Sequence, residues 1–314
     1  MTRIFYTTDV HGSDIVFRKF VNAGKFYKAN VVFLDGDLTG KAIVPIVKRQ
    51  GGMYESSFLG EKHSVQENEV SRIESKVTNL GFYPLRIDED ELKRLQETPE
   101  KVDDLFRDMM IKQMEEWIQI IEQNLKGSQI KCYVMPGNDD RFEIDKAIED
   151  SELVVNPEGR VVELDAAHEM ISTGWSNPTP WDTPREESEE ALGKRIEDMA
   201  SKVRNMRNCI FNLHCPPYDT GIDTAPMLDS DLKQVVKNGQ VVLVPVGSKS
   251  VRSAIEKHQP LLGLHGHIHE SKGTHRIGQT LCVNPGSEYQ QGMLKGVIVN
   301  IDEKGVKSTM FSSG

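Results

Sequence analysis

The sequence predicts an α/β protein whose chemistry gathers at the C-terminal ends of buried strands. Three observations carry that expectation. Runs such as Val31 to Leu34 are apolar without interruption, as expected of strands covered on both faces. Segments with helical apolar spacing alternate with them, the pattern of a largely parallel sheet. The runs also stop at aspartate, histidine or glycine, and in open α/β sheets ligands bind at that edge.

Ile4 to Thr8 reads as the first strand and ends at Asp9-Val10-His11-Gly12. A helix follows, with Ser13 or Asp14 as N-cap and Val16, Phe17, Phe20 and Val21 on one face. Val31 to Leu34 is the second strand and ends at Asp35-Gly36-Asp37. From about residue 40 to 126 the alternation breaks, so a subdomain is expected to be inserted there. Ala42 to Val47 and Met53 to Phe58 read as a hairpin around Gln50-Gly51-Gly52, with helices at about Val65 to Leu80 and Asp88 to Gln96. Thr98-Pro99-Glu100 opens a long helix, proline suiting its first turn, and Gly127 ends it. Its stripe from Val102 to Leu125, rich in methionine and holding Trp117, is read as a packing face.

Ile130 to Met135 is the third strand and runs into Pro136-Gly137-Asn138-Asp139-Asp140. Glu169 to Ser172 is a further strand, followed by the loop Gly174 to Trp181, whose prolines and tryptophans suit a lid or pocket wall. A helix is expected from the acidic stretch Glu186 to Glu190 to about Arg207. Cys209 to Leu213 then leads to His214-Cys215-Pro216-Pro217, where the prolines stop the ladder. A polar segment, an apolar run at Val241 to Val246 and a helix from Ser248 to His258 come next. Leu261 to Leu264 ends in His265-Gly266-His267-Ile268-His269, and the rest reads as antiparallel hairpins.

Length and composition bound the function. The 314 residues suffice for one large domain, and the net charge of −10 argues against a duplex nucleic-acid partner. A small anionic substrate would then need metal ions to supply local positive charge. No apolar run reaches membrane-spanning length, and the N-terminus reads straight into a strand, so a cytoplasmic location is expected. Cys132, Cys209, Cys215 and Cys282 are dispersed singly and read as buried, reduced thiols.

Side by side, the strand ends read Asp9-x-His11, Gly36-Asp37, Gly137-Asn138-Asp139, His214 and Gly266-His267-x-His269. Carboxylate, imidazole and amide donors of this kind suit Mn2+, Fe2+ or Zn2+ rather than a thiolate site. The set and its order resemble the calcineurin-like metallophosphoesterase superfamily across nearly the whole chain apart from the insertion. More narrowly, Asn177-Pro178-Thr179-Pro180-Trp181, His214-Cys215-Pro216-Pro217 and Leu264 to Glu270 look like a microbial branch of predicted cytosolic phosphoesterases. The resemblance implies a single domain over residues 1–314, a four-layer sandwich of two sheets flanked by helices. It also implies two divalent ions: Asp9, His11 and His269 on one, Asn138, His214 and His267 on the other, Asp37 bridging. Mn2+ fits best, with iron, Zn2+ or Ni2+ as other choices. The expected reaction is hydrolysis of a small or nucleotide-like phosphodiester by a metal-bridging hydroxide, with a phosphomonoesterase or a non-catalytic scaffold as alternatives.

One position departs from the pattern: the usual histidine of the Gly-Asn-His motif is Asp139. Asp139 is therefore either a protonated acid for the leaving group or a residue that orients a ligand or water. Asn138 and Arg185 are candidate substrate contacts, since a guanidinium suits a phosphate fork and Arg185 follows the Trp175–Trp181 loop. Asp35 is a candidate partner for a ligand histidine and His265 a supporting residue. His63, His168, His258 and His275 read as ordinary surface or loop residues. The insertion is expected to cap the pocket or to make a homo-oligomer contact.

Overall fold

The continuous apolar runs are buried on both faces because two six-stranded sheets stack face to face and each carries helices outside. The computed structural model describes all residues 1–314. In the first sheet the strands lie in the order Gly305–Ser313, Lys295–Asp302, Thr2–Thr8, Val31–Asp35, Lys131–Met135, Val154–Val155. The last four of these run parallel, with the C-terminal hairpin added antiparallel to Thr2–Thr8. The second sheet has the order Gly273–Ile277, Thr280–Asn284, Leu262–Leu264, Cys209–Leu213, Glu169–Thr173, Val161–Glu163, parallel in its middle four strands. The C-terminal hairpins expected from the sequence are present, but they are divided between the two sheets.

Side-chain alternation assigns each residue to a layer. Ile4, Tyr6, Phe33, Tyr133, Ile210, Leu264 and Val283 meet between the sheets. Phe5, Val32, Leu34 and Val134 face outward to the helices Asp14–Phe26 and Pro99–Leu125. Phe17 and Trp117 stack between those helices with centroids 4.0 Å apart, so the methionine and tryptophan stripe is a packing face. On the far side Ile171, Phe211 and Leu213 pack against Glu189–Ala200 and Lys249–His258. All four cysteines are buried and unpaired. No helix is long and apolar enough to cross a membrane.

The insertion differs from the simple hairpin and helices. It is a four-stranded sheet in the order Glu61–Gln66, Met53–Phe58, Ile43–Lys48, Tyr83–Asp88, backed by the helix Val70–Asn79. Residues 83–88 carry a period-two pattern and pair in parallel with 43–48, a long-range pairing that local reading does not reveal. Val65 belongs to a strand, and the helix starts five residues later. The helix after Glu186 also stops short, at Ala200, because the following turn is drawn onto Glu169, which accepts from the backbone N–H groups of Arg204 and Asn205. The apolar run at 241–246 is split between two short two-stranded ribbons, one exposed and one mostly half-buried.

Candidate metal centre

Each sheet ends its parallel strands at the same rim, and backbone bonds tie the rims together. Asp9 and His11 donate their N–H groups to the carbonyls of Gly36 and Asp37, which joins the first two strand ends. The N–H of Gly266 reaches the carbonyl of His214 at 2.9 Å, which joins the two ends from the second sheet. Between the sheets, the N–H of His267 donates to both carboxylate oxygens of Asp9, at 3.1 and 3.2 Å. Two close approaches require glycine. A Cβ at Gly36 would lie 2.0 Å from His214 Nδ1, and one at Gly266 would lie 2.1 Å from Thr8 Oγ1.

The result is two overlapping clusters. Asp9, His11, Asp37 and His269 bring donor atoms within 4.8 Å of one another, and so do Asp37, His214 and His267. Asp37 belongs to both. His11 Nε2 lies 3.6 Å from Asp37 Oδ2, His214 Nε2 3.5 Å from Asp37 Oδ1, and His269 Nε2 3.4 Å from Asp9 Oδ1. His11 Nε2 and His269 Nε2 are 3.0 Å apart. Donors around a cation with bonds of about 2.0–2.2 Å sit about 3–3.5 Å from each other, so this spacing fits ions better than direct hydrogen bonds.

Buried atoms without partners point the same way. His11 Nδ1, both ring nitrogens of His214 and Asn138 Oδ1 are buried and make no hydrogen bond. Asn138 Nδ2 donates to Thr183 Oγ1 at 2.8 Å, which fixes the amide and leaves its oxygen unpaired. Four cluster residues also hold left-handed backbone: Asp9 at φ 54°, His11 at 41°, Asp37 at 49° and His267 at 66°. An unsatisfied buried polar atom costs about 1–3 kcal/mol, and a non-glycine residue with such a φ costs a similar amount. A fold keeps several such costs in one place when a ligand offsets them, and divalent cations fit this donor set.

Charge in the cluster is internally matched. Burial alone pushes His214 down, but the carboxylates of Asp37, Asp9 and Asp35 raise it to about 9. His267, buried and facing His214, falls to about 4. Asp37 stands well below the usual carboxylate range because His214, His11 and His267 outweigh its burial.

All the candidate cation ligands thus lie at this rim: Asp9, His11, Asp37, His214, His267 and His269 in the clusters, and Asn138 on the adjoining loop. His265 stays outside; fully buried, it meets the Leu213 carbonyl through Nδ1 at 2.7 Å. Asp35 does not contact a ligand histidine by hydrogen bond. Its carboxylate accepts from Tyr6 Oη of the same sheet at 2.8 Å and, across the sheets, from Asn212 Nδ2 at 2.6 Å. Arg185 is a correction: it is 1% exposed, its Nε donates to the Asp140 carbonyl and its NH2 group to Asp145 Oδ1. A guanidinium committed inward offers no fork to a phosphate. His168 is a second correction, because it is buried and bound to the Asp165 carboxylate at 2.8 Å.

Three residues at the rim were not anticipated in the roles they take. Asp139 Oδ2 lies 3.0 Å from Lys41 Nζ and 3.7 Å from His11 Nδ1. The ring of Tyr289 lies 4.7 Å from that of His11. Asn284 pins the histidine loop by donating to the carbonyls of Gly266 and Ile268. The signal for Asn284 was present: Thr280–Asn284 is another apolar strand that ends at the same rim in Asn284-Pro285-Gly286.

No family model matches the chain. Over 171 residues it is 32% identical to the uncharacterized protein MJ1162 of Methanocaldococcus jannaschii, a stretch that covers 54% of this chain and 70% of that protein. Among solved structures, protein TT1561 of Thermus thermophilus overlays with a TM-score of 0.54 at 14% identity, over 100% of this chain and 98% of the other. An archaeal phosphodiesterase overlays at 0.34 and 12% identity, over 99% of each chain.

Proposed function

We propose a function for a chain that belongs to the family of Methanocaldococcus jannaschii protein MJ1162 and has the calcineurin-like metallophosphoesterase fold: it is a dinuclear-metal phosphoric ester hydrolase. The observation that carries this reading is Asp37, one carboxylate shared between two clusters of imidazole and carboxylate donors. Asp9, His11 and His269 would hold one ion, Asn138, His214 and His267 the other, and Asp37 would touch both. Oxygen and imidazole donors without thiolate suit Mn2+, iron, Zn2+ or Ni2+. Cys215 follows His214 directly but lies outside both clusters, and its Sγ donates to Asn177 Oδ1 at 2.9 Å. When bound, such an ion pair supplies Lewis acidity to phosphoryl oxygens and lowers the pKa of water toward neutrality.

The chain's own residues do the rest. Backbone bonds between the rims fix the donors before any ion arrives, so little ordering is left to be done on binding. Beside His269 opens a cavity of about 480 Å³, lined by polar groups that include Glu270, Lys272, Gln290, Gln291 and Lys295. That volume holds a small ligand, and the polar lining suits a sugar- or nucleotide-like arm rather than a lipid. Room for a second substituent beside the cluster is why we favour a diester over a monoester. The insertion acts as a cap in this reading, because its base is tied to the rim: Ser13 Oγ donates to the Asn79 carbonyl at 2.6 Å and Gln113 Nε2 to the Gly12 carbonyl at 3.1 Å.

The test is metal analysis after Mn2+ loading, followed by hydrolysis of bis- and mono-p-nitrophenyl phosphate. Two ions per chain and faster turnover of the diester are expected. Preference for the monoester overturns the diester assignment. A metal content near zero after loading leaves only a scaffold on this fold.

A further inference from the structure

We infer that Lys41 is a substrate contact, an ammonium held over the cluster by Asp139 to receive a non-bridging oxygen of the bound phosphoryl group. The inference rests on the phosphoesterase reading and adds the residue that replaces the missing histidine of the Asn138 loop.

The starting point is an electrostatic contradiction. A site that binds a phosphate ester carries a carboxylate, Asp139, at its mouth, with its side chain 30% exposed. Its N–H donates to Asp37 Oδ1 at 3.0 Å, so this carboxylate is fixed beside the shared ligand. Alone it would repel an incoming anion at short range. Lys41 removes the contradiction. Its Nζ stands 3.0 Å from Asp139 Oδ2, so the pair is neutral and presents a cationic end. An ammonium carries three N–H donors, and the bond to Asp139 uses one. The others remain for phosphoryl oxygens, and charge-assisted bonds of this kind are among the stronger ones available to a protein.

Lys41 is a surface lysine, its side chain 44% exposed, but it is held at both ends. Its backbone is fixed by the N–H bond to Gly81, next to the bond from Gly40 to Tyr83. Both partners belong to the inserted subdomain, so the insertion sets the height of Lys41 over the cluster. The Asp139 carboxylate fixes the far end of the side chain. Arg141 is already paired with Asp103, Arg185 is turned inward, and Lys272 and Lys295 line the neighbouring cavity, which leaves Lys41 as the cation bonded to the Asn138 loop.

The test uses the full-length protein loaded with Mn2+ and three variants, Lys41→Ala, Lys41→Arg and Asp139→Asn, with the double variant Lys41→Ala/Asp139→Asn. Metal content is measured first, then binding of inorganic phosphate by calorimetry, then kcat and KM with bis-p-nitrophenyl phosphate. Lys41→Ala is expected to keep both ions and weaken phosphate binding roughly 10- to 30-fold, in line with loss of a charge-assisted contact. Lys41→Arg restores affinity to within roughly threefold of the wild type. Asp139→Asn lies between, and the double variant is no weaker than Lys41→Ala alone, because Asp139 acts through Lys41. Unchanged phosphate affinity in a fully loaded Lys41→Ala protein overturns the inference and leaves the phosphoesterase reading intact. Additive losses in the double variant overturn the positioning role of Asp139. A loaded wild-type protein that neither binds phosphate nor cleaves the ester overturns both readings together.

Discussion

The two sheets contribute unlike halves of the site. The first supplies the carboxylates Asp9 and Asp37, the amide of Asn138 and one imidazole, His11, all from parallel strand ends. The second supplies only imidazoles, His214, His267 and His269. Neither half suffices. Alone, the first would hold two carboxylates in mutual repulsion, and the second would offer neutral donors with no charge to offset that of a divalent ion. The bonds from His267 N–H to Asp9 and from Asn212 to Asp35 join the halves. The site is therefore a property of sheet stacking, and it forms only when residues some 200 positions apart in the sequence have packed.

The sharpest way to break this comparison is Asp37→Ala. Asp37 is the one residue in both clusters, so its loss is expected to empty both positions and lower hydrolysis at least roughly a thousandfold. His214→Ala removes a donor from the second cluster alone, so it should retain about one ion on Asp9, His11, Asp37 and His269. Metal content by elemental analysis reads both variants. Two ions retained in Asp37→Ala would end the shared-carboxylate picture.

The next largest effect concerns the seam itself. Gly36→Ala places a methyl 2.0 Å from His214 Nδ1 at a backbone φ of +70°, so strain and overlap add. Gly266→Ala meets Thr8 Oγ1 at 2.1 Å, a side-chain atom at the same seam, without a left-handed backbone. Urea unfolding should show a loss of about 3–5 kcal/mol for the first and about 2 kcal/mol for the second. Equal losses would mean that backbone conformation contributes nothing at Gly36.

These residues also show what the sequence made legible. The ligand positions stood out because buried parallel strands read as unbroken apolar runs, and a histidine or aspartate at the end of such a run is conspicuous. Arg185 misled because a guanidinium after an aromatic loop suggests anion binding, whereas its surroundings offer Asp145 and carbonyls that local sequence does not reveal. Lys41 stayed hidden for the opposite reason. Its position depends on how residues 81–83 return to the start of the insertion, which is set by the parallel pairing of Tyr83–Asp88 with Ile43–Lys48. Asn212 is a polar residue in an otherwise apolar strand, and its partner Asp35 lies in the other sheet, beyond the reach of local sequence.

A third prediction separates the imidazoles of the second sheet from one another. Without metal, His214 carries a proton through neutral pH because the first sheet's carboxylates raise it to about 9, while His267 at about 4 is already neutral. A ligand imidazole must be deprotonated, so binding of Mn2+ at pH 7.5 should release at least one proton. Apparent affinity should then climb roughly tenfold per pH unit between 7 and 9 and flatten above. Calorimetry in buffers of different ionisation enthalpy measures the proton count, and a count of zero would place His214 outside the metal site.

The smallest effect tests the polar bridge between the halves. Tyr6→Phe removes the hydroxyl that donates to Asp35 Oδ2 at 2.8 Å and leaves Asn212 as the remaining side-chain donor to that carboxylate. Burial raises Asp35 to about 6, against the pull of His214, Asn212 and Tyr6, so losing Tyr6 raises it further. The sign follows from linkage. An acid whose folded pKa exceeds its unfolded value of about 3.9 binds more protons when folded, so its ionisation lowers stability as pH rises through that interval. Tyr6→Phe should therefore cost about 1 kcal/mol near pH 7.5 in the metal-free protein and less near pH 4, where Asp35 is neutral. Metal content should stay at two, because Tyr6 touches no donor of either cluster. A penalty that does not change with pH would show that Tyr6 stabilises the seam by packing between the sheets and not through the charge on Asp35.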